Sequence, residues 1–227
     1  MAKRKTIIGL DIGRGNAKAV WLRTQGAGCR VVRCESLRLP MDESTLDDVL
    51  NPWLEQMGIR GAPCAIGIRG EQGVFQPILL ARDDPRDCEQ AAAMEVAQFN
   101  EMAPEPMAYD VAPFQREPDQ RRLLLCMARP SVLNGLLGTA RTRKLDVVDV
   151  VPTPVALYEA LAPELGEQQE PTVLVNLGRR NTEVAIGSAG GLMFARTIPS
   201  GGQSFTEALM TANSLSPVQA EQRKITG

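Results

Sequence analysis

The sequence predicts a two-lobed α/β protein in which one three-strand meander is built twice and a smaller α/β unit is inserted between the copies. The opening stretch GLDIGRGNAKAVWL is rewritten 165 residues later as VNLGRRNTEVAI, and Asp11, Gly13, Arg14 and Asn16 fall without a gap on Asn176, Gly178, Arg179 and Asn181. Such spacing marks an internal repeat. Strand-like segments flank both loops, and even the closing LRLP of the first copy returns as RTIP in the second. Between the copies, from about Gly70 to Val148, strands and helices alternate in a different order.

The elements follow in chain order. KTIIGLDIG, NAKAVWLR and CRVVRCESLRL read as an antiparallel meander, joined by a Gly-rich turn and by TQGAG,. Ser44 is placed to cap a helix that carries Leu46, Val49, Leu50, Trp53, Leu54 and Met57 on one side, with Pro52 limiting its regularity. APCAIGIRG gives a short strand. The inserted unit then runs as strand GVFQPILL, a helix, strands MAYDVAPFQ and RRLLLCMAR, a second helix from Pro130, and strand LDVVDVV. Asp84 followed by Pro85 suits a helix start. On that helix Cys88, Ala92, Glu95, Phe99 and Met102 share one face. Glu95 breaks the apolar stripe, either as an edge carboxylate reaching solvent or an arginine, or as a polar anchor in a partner groove. TPVALYEALA is a helix, and the polar PELGEQQEP reads as a hinge. The meander then restarts as TVLVNLGRR, NTEVAIGS and LMFARTIPS. Gly201 and Gly202 precede a last helix in which Ser204 and Glu207 have capping-box spacing.

Composition narrows the function. The chain has 227 residues, 44% of them apolar, no histidine, and a net charge of −2. Without imidazole, Ser-His-Asp triads and His-bearing zinc sites are excluded. Interspersed charges and 4% aromatic residues leave no footprint for nucleic acid,. Cys29, Cys34, Cys64, Cys88 and Cys126 are scattered, without a close C-x-x-C pair, and read as reduced, mostly buried hydrophobes. No apolar run approaches the ~20 residues of a bilayer span. MAKRKTIIG lacks the apolar core of a secretory signal. The expected location is the cytosol.

The repeated loop carries the chemistry. A strand ending in acid–apolar–Gly, a polar turn and a second strand bring a carboxylate and several backbone N–H groups to one hairpin tip. Two facing tips form a phosphate clamp, the N–H groups binding phosphate oxygens and the carboxylate holding Mg²⁺. The candidate phosphate-binding residues are Asp11, Gly13, Arg14, Gly15 and Asn16 in the first loop. Asn176, Gly178, Arg179, Asn181 and Thr182 stand in the second, with Gly201 and Gly202 at the following helix. Asp11 is the expected metal carboxylate.

Four blocks resemble one family: GLDIGRGNAKAVWL, AAAMEVAQFNEMAPEPMAYD, LDVVDVVPTPVALYEAL, and TVLVNLGRRNTEVAI with RTIPSGGQSFTEAL. Together they are similar, in order and over nearly the whole chain, to the PilM group of type IV pilus assembly proteins. These are relatives of the cell-division protein FtsA within the actin/Hsp70/sugar-kinase superfamily. The resemblance implies an actin-like (ribonuclease H-like) fold, with residues 1–69 and 149–165 as first lobe, 70–148 as insertion, and 166–227 as an incomplete second lobe. It further implies a cytoplasmic adaptor, peripheral to the inner membrane. In a groove between first lobe and insertion it would bind the short N-terminal tail of a PilN-like bitopic membrane partner, linking it to the assembly motor ATPase, with self-association as a further property. Secretion-system relatives of the GspL type are similar in role.

Three departures bear on ATP/Mg²⁺. Arg14, Gly15 and Asn16 replace the family's small hydroxyl residues, and Asn176 stands where the second loop usually has an acid. The family's second helical subdomain and adenosine-contacting segment have no counterpart in this sequence. Arg14, Arg179 and Arg180 offer cations that could pair with phosphate. ATP is therefore expected to bind weakly or not at all. Asn176 also removes the acid that a kinase or ATPase would need. A non-catalytic scaffold is the first reading; the alternatives are an ATPase or small-molecule kinase of the same superfold, or a division-type filament protein.

Overall fold

The computed structural model describes residues 6–25, 28–40, 42–81, 87–117, 120–165 and 170–226. Strands β1 (Thr6–Ile12), β2 (Asn16–Gln25) and β3 (Gly28–Arg38) form the expected antiparallel meander. Helix α1 (Leu46–Gln56) then crosses over to β4 (Pro63–Ile68), which pairs parallel with β1. The sheet is completed by β8 (Asp146–Pro152), parallel to β4, in the order β3-β2-β1-β4-β8. Ile8, Leu10, Ala17 and Ala19 alternate onto one face, beneath Leu50, Trp53 and Leu54 of α1. This is the period-two pattern of strands meeting the helical stripe the sequence predicts. Ser44 does not cap that helix: Thr45 is the N-cap, its hydroxyl donating back to the Asp42 carbonyl at 3.0 Å and not accepting from the helix, and the Ser44 amide donates to Asp42 Oδ1 at 2.9 Å.

The inserted sheet contains β5 (Gly73–Ala81), β6 (Ala108–Glu117) and β7 (Gln120–Ala128), in the order β5-β7-β6. Central β7 is buried on both faces, as its unbroken apolar run requires. Leu123, Leu125 and Met127 face Ala91, Ala92 and Val96 of α2 (Cys88–Met102), while Leu124 and Cys126 turn the other way. Asp84 and Pro85 lie outside the described residues; α2 starts at Cys88, where Asp87 and Gln90 form a reciprocal capping box. Cys88, Ala92 and Phe99 of the expected face pack on this core together with Ala91 and Val96, while Met102 is 93% exposed at the helix end. Glu95 is half-buried at the edge of the stripe, and its Oε2 accepts from Gln76 Nε2 at 3.1 Å, joining α2 to β5.

The insertion is smaller than the sequence suggested. Leu136 and Ala140 of α3 (Pro130–Thr142), together with Val147 and Val150 of β8, belong to the core of the first sheet. Sheet and core membership therefore change near Arg129, not at Val148. A parallel strand among apolar neighbours looks alike in either unit, and only pairing assigns it.

The second meander is β9 (Thr172–Leu177), β10 (Thr182–Ser188) and β11 (Gly191–Ile198), followed by α5 (Gly202–Asn213) and α6 (Pro217–Thr226). Helix α4 (Thr153–Leu165), expected with the first lobe, packs mainly on this sheet. Tyr158 is buried with Ala185, Leu192 and Ala195, and its hydroxyl donates to the Ser188 carbonyl at 2.7 Å. Leu124, Cys126 and Phe75 of the insertion join the same cluster. The insertion's rear face thus rests on the second lobe. Residues 166–169 of the expected hinge lie outside the described residues. Ser204 makes no capping box, because α5 begins at Gly202 and places it inside the first turn. All five cysteines are free, but Cys29 and Cys34 are exposed, contrary to the expectation of burial. Burial pushes the Cys126 thiol up to about 11, helped by the Asp110 charge, which keeps it protonated and unreactive,.

Candidate functional site

The two repeated loops fold alike. The Gly13 amide donates to the Asn16 carbonyl at 3.0 Å, and the Gly178 amide to the Asn181 carbonyl at 2.9 Å. Each glycine is needed for closeness: a Cβ on Gly178 would lie 2.8 Å from Asn181 O, and one on Gly13 3.1 Å from Asn16 O. The tips also meet. A Cβ on Gly15 would come within 3.3 Å of Arg179 Cδ, so the Arg179 side chain crosses the first loop where Gly15 leaves room.

Several groups that the sequence assigns to phosphate already have partners. The Gly202 amide donates to the Gly178 carbonyl (2.9 Å) and the Gln203 amide to the Arg179 carbonyl (2.7 Å), so the start of α5 is tied to the second loop. Gly201 is buried against that loop, where a Cβ would stand 2.6 Å from Gly178 O. Arg14 pairs with Glu71 at 3.5 Å, and Arg69 reaches the same carboxylate at 3.3 Å. The Thr182 hydroxyl donates to the Ser200 carbonyl. Asn16 and Arg180 are exposed.

The centre of the cleft is a carboxylate that the sequence reading passed over. Glu183, only 9% exposed, accepts from Asn176 Nδ2 at 3.0 Å, from the Gly70 amide at 3.3 Å, and from the Thr153 hydroxyl. These donors come from β9, from the turn after β4, and from the start of α4. Glu183 therefore joins three elements of both lobes. Gly70 must be glycine, since a Cβ there would lie 2.1 Å from Thr197 Oγ1 and 3.2 Å from Glu183. A signal for Glu183 was present in the repeat. Lys18 stands directly across from Asp11, and Glu183 stands directly across from Asn176 at the same spacing. The acid missing at Asn176 is thus supplied one strand over.

Asp11 faces the same cleft, half-buried, beside the end of β4, where a Cβ on Gly67 would lie 3.7 Å from its Oδ1. Burial pushes its carboxyl above the usual range. Lys18 opposes this, the Glu183 charge adds to it, and Arg69 opposes it,. Among the described residues no group of three or more acids or cysteines could enclose a metal. Mg²⁺ would find Asp11 and Glu183, hard oxygen donors of the right type. The phosphate end fits poorly, since the amides of Gly13, Gly178 and Gly202 are engaged and the tips touch. Beside the tips an open cleft of about 350 Å³ separates the start of β5 from β11, with Gly70, Phe75, Asn181, Arg196, Thr197 and Pro199 among its walls. Thr197 Oγ1 is buried there without a hydrogen-bond partner.

Two meander sheets with facing acid-bearing hairpins, and a small domain inserted after the first, define an actin-like protein. The chain belongs to the type IV pilus assembly protein PilM family, whose model matches residues 9–227. Its fold is similar to that of the PilM–PilN type IV pilus biogenesis complex, with 19% identity and a TM-score of 0.79 over 98% of this chain and 70% of that one. The cytoplasmic domain of EpsL, an inner-membrane component of the Vibrio cholerae type II secretion system, is similar at 10% identity and TM-score 0.57, covering 90% and 75%. The ethanolamine utilization protein EutJ from Carboxydothermus hydrogenoformans is similar at 14% and 0.52, covering 95% and 59%. No curated protein matches the sequence. Among the described residues no helix is long and apolar enough to cross a membrane.

Proposed function

We propose that this chain is a pilus-assembly scaffold that holds the N-terminal cytoplasmic tail of a PilN-like bitopic membrane protein and links it to the assembly motor, at the inner face of the inner membrane. The observation that carries this reading is the contrast at the cleft: the phosphate tips are closed on one another, while the space between β5 and β11 stays open. Both strands are sheet edges. An extended tail can therefore pair its backbone with an edge while Phe75 and Pro199 receive an apolar side chain. The family resemblance places the groove between the first lobe and the insertion, whereas this cleft lies between the insertion and the second lobe. Gly70 and Glu71, where the first lobe passes into the insertion, line this cleft.

Calorimetry with the partner's synthetic tail tests this. Saturable binding is expected, weakened at least about ten-fold by Phe75→Ala, a loss of the size expected for a buried aromatic anchor. Binding should not depend on Mg·ATP. Tail binding that Phe75→Ala leaves unchanged, or that requires nucleotide, would remove the reading. An ATP-dependent enzyme is the second reading, favoured by the acids Asp11 and Glu183. It requires a micromolar Kd for Mg·ATP, where weak or no binding is expected.

A further inference from the structure

The β2–β3 hairpin carries a charge that the rest of the chain does not share. Between residues 16 and 38 stand Lys18, Arg23, Arg30, Arg33 and Arg38 against Glu35 alone, in a protein of net charge −2. Arg33 is accounted for inside the molecule: its guanidinium lies 4.8 Å from the centre of the Trp21 ring and pairs with Glu35 at 2.9 Å. Arg23 and Arg30 are not. They are direct cross-strand partners, both exposed, and neither forms an ion pair among the described residues. Like charges set opposite each other on a ladder are destabilising. The pair borders a cleft of about 140 Å³ with Val32.

Val32 is itself unusual. A bulge leaves Trp21 opposite Arg33 and Leu22 opposite Val31, so Val32 has no cross-strand partner, and it is 41% exposed next to Val31 at 55%. The hairpin is therefore bare on both faces here. β3 is also the outer strand of the five-stranded sheet, with one row of backbone groups unpaired,. Two arginines without an ion-pair partner among the described residues, exposed valines and the outer edge of the sheet lie together.

We propose that β3 is a second docking edge, which takes an acidic, extended segment of a partner protein. A carboxylate of the segment sits between Arg23 and Arg30, the apolar residue next to it turns to the opposite face toward Val31, and the backbone pairs along the β3 edge,. Charge selects this occupant. A second copy of the chain laid antiparallel about Val31 and Val32 would set Arg30 against Arg33, adding repulsion instead of removing it. This surface is independent of the cleft between β5 and β11.

The test uses the full 227-residue chain and a fluorescent ten-residue peptide alternating valine and glutamate, with a valine–glutamine twin as control. Saturable binding of the acidic peptide is expected, at least about ten-fold weaker for the twin and for the Arg23→Gln/Arg30→Gln variant. Arg30→Glu should also abolish binding while leaving the hairpin as stable or more so, because it turns the repulsive pair into an attractive one. If these arginines only protected the edge from aggregation, Arg30→Glu would bind as wild type does. Equal affinity for both peptides, no saturable binding, or wild-type affinity in the double variant would overturn the proposal. So would arginine-dependent capture by phosphatidylglycerol vesicles without peptide binding, or sedimentation as a dimer broken by Arg30→Glu.

Discussion

Ile8 and Leu10 of β1 are 2% and 3% exposed, while Val173 and Val175, at the same places of the repeat in β9, are 57% and 59% exposed. The local sequences are nearly interchangeable. Their surroundings differ: β1 has β4 paired on its outer side and α1 over its apolar face, whereas β9 is the edge of a three-stranded sheet. A strand's alternation says which residues share a face, and neighbours alone decide whether that face is core. The loops differ in the same way. The first tip has Asp11 opposite Lys18 and the second has Asn176 opposite Glu183, so charges of opposite sign face the cleft from equivalent positions.

Substitution at matched positions gives the sharpest test. Leu10→Ala should cost ~2–5 kcal/mol, as buried large-to-small changes do, whereas Val175→Ala should stay within about 0.5 kcal/mol. Denaturant titration at two protein concentrations measures both. Equal losses would break the contrast and mean that the β9 face is covered by self-association in solution.

Next in size is the buried carboxylate. Glu183→Ala strands the Thr153 hydroxyl and the Asn176 amide, leaves the Gly70 amide only its 3.1 Å bond to Thr153 Oγ1, and should cost ~1–3 kcal/mol,. Lys18→Ala, at the matching exposed position, should be nearly silent. Faster amide exchange at Gly70 in Glu183→Ala would confirm that one side chain ties the lobes together, while unchanged exchange would assign the tie to the apolar contacts around Tyr158. For the glycines, Gly201→Ala forces a Cβ against backbone and should cost about 1–3 kcal/mol, as overpacking does. Gly15→Ala meets only the flexible Arg179 side chain, and thermal melts should separate the two.

The smallest effect is pH-dependent. The Asp11 carboxyl is raised above its usual range chiefly by burial. The folded state therefore holds the proton more tightly than the unfolded chain, and the group opposes folding once pH exceeds the folded pKa. Asp11→Asn should raise the Tm near neutral pH, with a gain that shrinks as pH falls through the raised value toward 3.8. A gain that grew on acidification would reverse the assignment. Glu221 behaves oppositely. Hydrogen bonds from Lys224 and Thr206 lower its pKa, so the stability it contributes is present above the usual value and lost as pH falls through the lowered one.

The duplication, the three-strand meanders, the two loops with their glycines, and an inserted α/β unit could all be read from the residues, because strand alternation and tight-turn glycines are local requirements. Helix starts were less legible. Asp87 with Gln90, not Asp84, caps α2, since many acids stand near any helix start and only backbone geometry selects one. Glu183 was hidden for a related reason. In NTEVAI it reads as the polar half of an alternating strand, and its burial depends on Gly70 and Thr153, which are remote in sequence.

By itself the sequence determined the repeat, the acid at Asp11, the neutral residue at Asn176 and the family resemblance, all of which reside in short-range patterns. Tertiary structure decided that β8 joins the first sheet, that the insertion rests on the second lobe, and that Arg179 closes over Gly15. It also decided that a glutamate one strand away restores a carboxylate to the cleft. Each of those depends on which surfaces meet after the chain has folded, and pairing between distant segments is set by the sum of buried area and satisfied polar groups, not by any local signal.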